Sequence, residues 1–252
     1  MSTRLPRERR HTLLFLREIR AFSPVYLDTE VDMTAVQAHR TAARAAGRRY
    51  SLVSYVVLAA GQVLAKHPEA NAAVRGRLWP KVAHYPFTNG KVTLDKQRAG
   101  HRVVLATVVP RVEELDLQQV QTHLDRFRDG DPDHMPEFAA IRRLHQRPWP
   151  LAYAAFRKSA RSLAARPTLT GTYAVTSLGH RDVDGFHSVG GTTVTVGVGR
   201  VVDRPVVRGR EVDIAPVMRL SLAFDHRVID GSEAADVLTE LKSALESYEG
   251  HE

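Results

Sequence analysis

The chain of 252 residues contains no cysteine. That absence excludes disulfides, thiolate metal ligands and any reaction through an acyl-cysteine intermediate. Long apolar runs are also missing. The most apolar stretch, Leu52 to Leu64, is too short to span a bilayer, so no membrane role is expected. The basic start MSTRLPRERRHTLLF is followed by neither a long apolar core nor a small-residue cleavage site. It does not read as a secretory signal, and a cytoplasmic location is expected. No recognition-helix pattern, zinc knuckle or aromatic RNA-binding motif is found, which argues against a nucleic-acid partner. His84, His180 and His187 match no ligand spacing, so no metal is expected.

What is present is an ordinary globular composition with a surplus of base, 36 lysines and arginines against 28 acids. Such a surplus either attracts anions or is dispersed over solvated faces. The length suits one domain. Residues 1–10 read as a loose basic arm and 11–252 as a single domain. Helices are expected over 12–21, from Asp32 to a stop at Gly47, from Ser51 through Leu64, and over 115–127; strands are expected over 25–31, 82–85, 91–94 and 102–109. The helix after Ser51 is weakly polar on every face and is expected to be buried on most sides. Residues 130–168 break the pattern, with helices over 137–144 and 151–165 around Pro148-Trp149-Pro150.

The most informative stretch is Asp225-His226-Arg227-Val228-Ile229-Asp230-Gly231. Met218, Leu220, Leu222 and Phe224 alternate before it, as in a half-buried strand; Ala234, Val237, Leu238, Leu241, Leu245 and Tyr248 recur after it at helical spacing. His226 therefore sits on a strand-to-helix connection, with Gly231 permitting the turn and Ser232 available to cap the helix. A histidine so presented is a natural general base, because its pKa can lie near neutrality.

This segment resembles the His-x-x-x-Asp-Gly signature of the 2-oxoacid dehydrogenase acyltransferases, the dihydrolipoamide acyltransferases, which chloramphenicol acetyltransferases share. GTYAVTSLG (171–179), VGVGRVVDRPVV (196–207), SPVYLDTEVDMTAV (23–36) and HPEANAAV (67–74) resemble other parts of that family in the same order. The resemblance implies an α/β chloramphenicol acetyltransferase-like two-layer sandwich, a mixed sheet with helices packed on one face. Residues 130–168 then stand as an atypical helical insertion, lining the substrate channel, covering a subunit edge, or simply lying on the surface. By the same resemblance, His226 is the base, Thr176 the hydroxyl that binds the oxyanion, with Ser177 as fallback, and Asp230 ion-pairs with an arginine, Arg17, Arg20 or Arg227, to stiffen the loop. Arg227 and Gly231 are structural at the site. Gly197 and Gly199 form no dinucleotide fingerprint, since no helix follows, and read as points of close backbone approach. The turn at Ser188, Gly190 and Gly191 reads as shorter than the family's.

The expected activity is acyl transfer from a thioester, coenzyme A or carrier-bound, to a small-molecule acceptor, with coenzyme A as co-substrate and no metal. Alternatives are a dehydrogenase-complex subunit served by lipoyl domains in trans, a carbon–carbon bond-forming condensation, and a non-catalytic scaffold. No stretch of the 252 residues resembles a lipoyl or subunit-binding domain, so a free-standing catalytic domain is expected. The resemblance implies a homotrimer with active sites between subunits, and the polar end Ser247 to Glu252 leads to the expectation of an isolated trimer rather than a cage.

Overall fold

In the computed structural model, residues 6–250 are described, apart from 77 and 99. The strands are β1 (Pro24–Asp32), β2 (Ala72–Arg75), β3 (Lys81–His84), β4 (Gly90–Arg98), β5 (His101–Val109), β6 (Tyr173–Ser177), β7 (Val194–Arg208) and β8 (Glu211–Asp225). The helices are α1 (Arg10–Glu18), α2 (Thr34–Ala45), α3 (Leu52–Leu64), α4 (Leu117–Asp129), α5 (Ala139–Gln146), α6 (Trp149–Ala160), α7 (Arg166–Leu169) and α8 (Gly231–Glu246). A six-stranded sheet runs β1-β8-β7-β6-β4-β5, and β2 and β3 form a separate two-stranded ribbon. β6 is parallel to β4 and β7, while the other pairings are antiparallel, so the sheet is mixed, as expected.

Local capping chemistry sets two of these boundaries. Ser51 caps α3 by accepting the backbone N–H of Ser54 at 3.2 Å. Asp116 and Gln119 form a reciprocal capping box at the start of α4. α3 is buried along almost its whole length, as its all-round apolarity requires. It packs with α8 against one face of the sheet, where the main core gathers Val56, Val63, Val196, Leu220, Leu222 and Leu241.

β8 departs from the expected half-buried strand. From Leu220 to Asp225 it is buried on both faces. The reason lies in the segment between β6 and β7, which folds back over the second face: Ser221 Oγ donates to the Phe186 carbonyl at 2.5 Å. Added Cβ atoms at Gly197 and Gly199 would collide with the carbonyls of Phe186 and Asp184. The expected close approach at these glycines is thus made by this returning segment. Asp184 anchors it to β7 through Arg200 and Arg204, at 2.5 and 3.0 Å.

Of the arm expected over residues 1–10, residues 1–5 lie outside the described residues. Arg7–Arg9 form a 3₁₀ turn leading into α1. The 130–168 region is built into the fold. Leu14 of α1 shares a small core with Leu144 and Ala152, against which Trp149, Tyr153 and Phe156 pack. Arg10 donates to the carbonyls of His145 and Arg147. His11 Nε2 lies 3.0 Å from the carbonyl of Val104, on the edge strand β5. α1 therefore satisfies a carbonyl that an open sheet edge would expose, and Met135 and Phe138 of the 130–168 region pack with Val103 and Leu105 of the same strand. No helix among the described residues is long and apolar enough to cross a membrane.

Candidate active site

β8 ends at Asp225, whose side chain is 2% exposed. A buried carboxylate needs partners, and Asp225 has them on three sides. Arg227 grips it through Nε at 2.9 Å and Nη2 at 2.5 Å, and the backbone N–H groups of Ser23 and Arg227 approach Oδ1 at 3.3 Å. Arg227 also stacks over Phe22, 5.1 Å from the ring centre. The backbone N–H of His226 donates to the Ser23 carbonyl at 2.9 Å, extending the β1–β8 ladder one residue past the strand. The bend carrying His226 is held by backbone, carboxylate and guanidinium together.

The imidazole is about half exposed, 46%. Its Nδ1 faces the Ile229 carbonyl at 3.2 Å and Asp230 Oδ1 at 3.4 Å. A carbonyl only accepts, and an ionised carboxylate only accepts. The proton of the neutral ring therefore belongs on Nδ1, which leaves the Nε2 lone pair as the basic atom. Phe224 packs edge-on against the ring at 5.5 Å.

The structure revises three details of the expected loop. Asp230 meets no arginine among the described residues: Arg227 is committed to Asp225, Arg17 lies over Trp149 and Tyr153, and the partner of Asp230 is His226 itself. Asp230, not Ser232, occupies the N-cap of α8, and no side-chain cap bond forms. Gly231 keeps an ordinary φ, and an added Cβ would meet open space, so the bend does not require glycine there.

Thr176 lies on β6, where its hydroxyl accepts a hydrogen bond from Thr93 of β4 at 3.1 Å. A hydroxyl that accepts from a neighbour keeps its own O–H to donate. Ser177 points to the other face, with Oγ 3.3 Å from the Gly179 N–H. Thr93 is a member that sequence reading missed; its one signal is its place between Val92 and Leu94.

His226 and Thr176 are not brought together within the chain. Thr176 pairs with Gly197, and Gly197 with Ser221. His226 lies five residues beyond Ser221, about 17 Å along the strand direction, and two strands across, about 10 Å more. The resulting separation of roughly 20 Å exceeds what the two side chains can bridge.

A second group of cations borders this bend. Lys91, on β4, is buried; its amine donates to the Gly190 carbonyl at 2.8 Å and sits over Phe15 at 4.6 Å. Burial, reinforced by nearby Arg166, pushes that amine down to about 8. Arg166 itself donates to the Gly191 carbonyl at 2.7 Å.

Residues 152–251 match the family model of the 2-oxoacid dehydrogenases acyltransferase (catalytic domain). The dihydrolipoyllysine-residue acetyltransferase component of the pyruvate dehydrogenase complex of Bacillus subtilis is 26% identical over 229 residues, covering 88% of this chain and 44% of that protein. The chain thus spans less than half the length of that curated relative. A probable dihydrolipoamide acetyltransferase from Listeria monocytogenes superposes with a TM-score of 0.73 at 17% identity, over 100% of this chain and 97% of that one. A chloramphenicol acetyltransferase gives 0.53 at 15% identity, over 97% and 100%. The resemblance read from the sequence therefore holds: residues 152–251 carry the acyltransferase catalytic-domain pattern, on the chloramphenicol acetyltransferase-like sandwich expected.

Proposed function

We propose that this chain is an acyltransferase that moves an acyl group between coenzyme A and a second thiol, the dihydrolipoyl group named in its relatives being the first acceptor to test. In the reaction, Nε2 of His226 takes the proton of the attacking thiol as its sulfur bonds to the thioester carbonyl carbon. The carbonyl oxygen becomes an oxyanion, to which Thr176 donates. The bond to the leaving sulfur then breaks, and His226 returns the proton to it. No metal takes part in this scheme. One observation carries the reading: Nδ1 of His226 is occupied by two acceptors, so the half-exposed ring offers its base outward.

Because His226 and Thr176 are far apart in one chain, joint action needs two copies, His226 from one and Thr176 from its neighbour. A homotrimer of the kind the family resemblance implies meets this requirement. In this reading the trimer works in the cytoplasm.

The test is a panel of acyl-coenzyme A thioesters with dihydrolipoamide, amines and alcohols as acceptors, following free-thiol release. His226→Ala should lose about 10²–10⁴-fold in rate and Thr176→Ala about 10²–10³-fold, with unchanged circular dichroism. A fully active His226→Ala protein would refute the mechanism. Turnover with an alcohol or amine but not with dihydrolipoamide would move the acceptor to a small molecule, and thioester binding without any turnover would make the chain a non-catalytic relative.

A further inference from the structure

Among the aspartates, glutamates, lysines and arginines of the described residues, only Lys91 and Asp225 are buried. Asp225 has Arg227 for a partner. Lys91 meets no carboxylate within ion-pair distance among the described residues, and the charge that reaches it, Arg166, has the same sign. Burial and that neighbour both oppose the ammonium, so the side chain costs the fold stability. Groups held in so unfavourable a setting gather at functional sites. Here the setting adjoins the His226 bend, and two routes connect them.

The first route is backbone. Lys91 Nζ donates to the Gly190 carbonyl at 2.8 Å, and the Gly190 N–H donates to Thr195 Oγ1 at 2.9 Å. Two residues before Thr195, the Thr193 carbonyl accepts the N–H of Asp225 at 2.9 Å. Val189, Thr192 and Thr195 face Phe22, Phe224 and Asp225 across a gap with no room for water. The second route runs through α1. The amine lies over the Phe15 ring, 4.6 Å from its centre. That ring presses on Gly191, where an added Cβ would come within 2.7 Å of Phe15 Cε2. α1 continues through the turn Ile19–Ala21 to Ser23, whose carbonyl accepts the N–H of His226 at 2.9 Å. The two routes thus end on the amides of consecutive residues, 225 and 226. Close-packed interiors transmit displacement, so a shift at Lys91 reaches both.

We infer that Lys91 is a positioning residue, whose ammonium holds the Gly190 turn and α1 together and so fixes where the His226 imidazole points. The inference rests on the acyltransferase reading for the use made of His226, while the two routes are read from geometry alone. Lys91 acts through Thr193 and Ser23 and takes no proton from the substrate.

The experiment uses the full chain and two variants, Lys91→Met and Phe15→Leu. Methionine fills a similar length but donates nothing to Gly190. Three quantities are read: the melting temperature at pH 7, amide hydrogen exchange at residues 225 and 226, and kcat and KM for transfer from acetyl-coenzyme A to dihydrolipoamide. Lys91→Met should melt higher than wild type, since the buried charge is gone. Its Asp225 and His226 amides should nevertheless exchange about ten-fold faster. Its kcat should fall about 10–10²-fold with KM unchanged, as expected when a catalytic group is displaced by up to about 1 Å. Phe15→Leu cuts only the second route and should loosen His226 while leaving Asp225 protected. An unchanged kcat in Lys91→Met, or amides that exchange no faster, would overturn the proposal. So would a loss of activity accompanied by a lower melting temperature, which would make Lys91 a purely structural residue. If wild type transferred nothing to any acceptor while Lys91→Met still loosened residues 225 and 226, the acyltransferase reading would fail and the anchoring of the bend by Lys91 would stand.

Discussion

The separation of His226 and Thr176 makes subunit mixing the sharpest test of the site. Consider the two dead variants, His226→Ala and Thr176→Ala, co-expressed with different tags and purified through both. Every particle then contains both kinds of chain. In a cyclic trimer with sites between neighbours, either stoichiometry, two to one or one to two, leaves one boundary in three with an intact His226 facing an intact Thr176. Activity should therefore recover to about one third of wild type. Each variant alone should stay about 10²-fold or more below it. The contrast is at least ten-fold and needs no kinetic model, since both values come from one thiol-release assay. If the mixture stays at the level of the single variants, the two residues do not act across a boundary, and their separation of roughly 20 Å along the strand register then rules out their joint action altogether.

Three further outcomes follow from the packing. Asp225→Asn leaves Arg227 without its carboxylate in a largely buried bend and should cost about 3 kcal/mol in urea unfolding; a loss under about 1 kcal/mol would show that the backbone alone holds the turn. His67 sits between Glu233 at 2.8 Å and Glu240 at 3.1 Å; burial opposes its charge, but the two carboxylates outweigh burial and its pKa is raised above the ordinary 6.5. The protonated form therefore ties the end of α3 to α8, its contribution is complete below about 6.5, and it is lost as pH rises through the raised value. The melting-temperature gap between wild type and His67→Gln should be wide near pH 6 and narrow by about pH 9, and a gap independent of pH would refute this. Lys91 has the opposite sign: its amine is depressed from 10.5 to about 8, so its favourable contribution is present above the unfolded value and lost as pH falls through about 8. Lys91→Met should melt higher than wild type at pH 7 and lose that advantage as pH rises toward about 10.

Much of this was legible because the informative segments are local. The alternation in β8 and the helical spacing after Gly231 located the bend without any tertiary information. Ser51 capped α3 as its position suggested. What the sequence hid was pairing. Two carboxylates flank His226, and nothing in a linear string says which one Arg227 will take. Burial decides it: Asp225 is enclosed at the strand end and needs a cation, while Asp230 is 86% exposed and needs none. β8 looked half-buried because periodicity reports one face, whereas the second face is covered by a segment more than thirty residues away that crosses at Gly197 and Gly199. The role of residues 130–168 was hidden for the same reason, since their apolar residues meet distant partners, Leu14 of α1 for Leu144 and Ala152, and Val103, Leu105 and Phe127 for Met135 and Phe138.

The placement of the two candidate groups has a mechanistic consequence. Each is fixed rigidly, His226 by the ladder to Ser23 and by the Asp225–Arg227 clamp, Thr176 by the sheet and by Thr93. Rigid fixation at distant points of one sheet means that no loop movement within a chain can bring them together. On the proposed mechanism, their geometry is set by how two copies meet. A substitution far from either residue that loosens the contact between copies should then reduce the reaction as strongly as loss of the oxyanion donor, about 10²–10³-fold, while leaving each protomer folded. If the proposed mechanism holds, assembly itself completes the active site, and a protomer kept from assembling should transfer no faster than the Thr176→Ala variant.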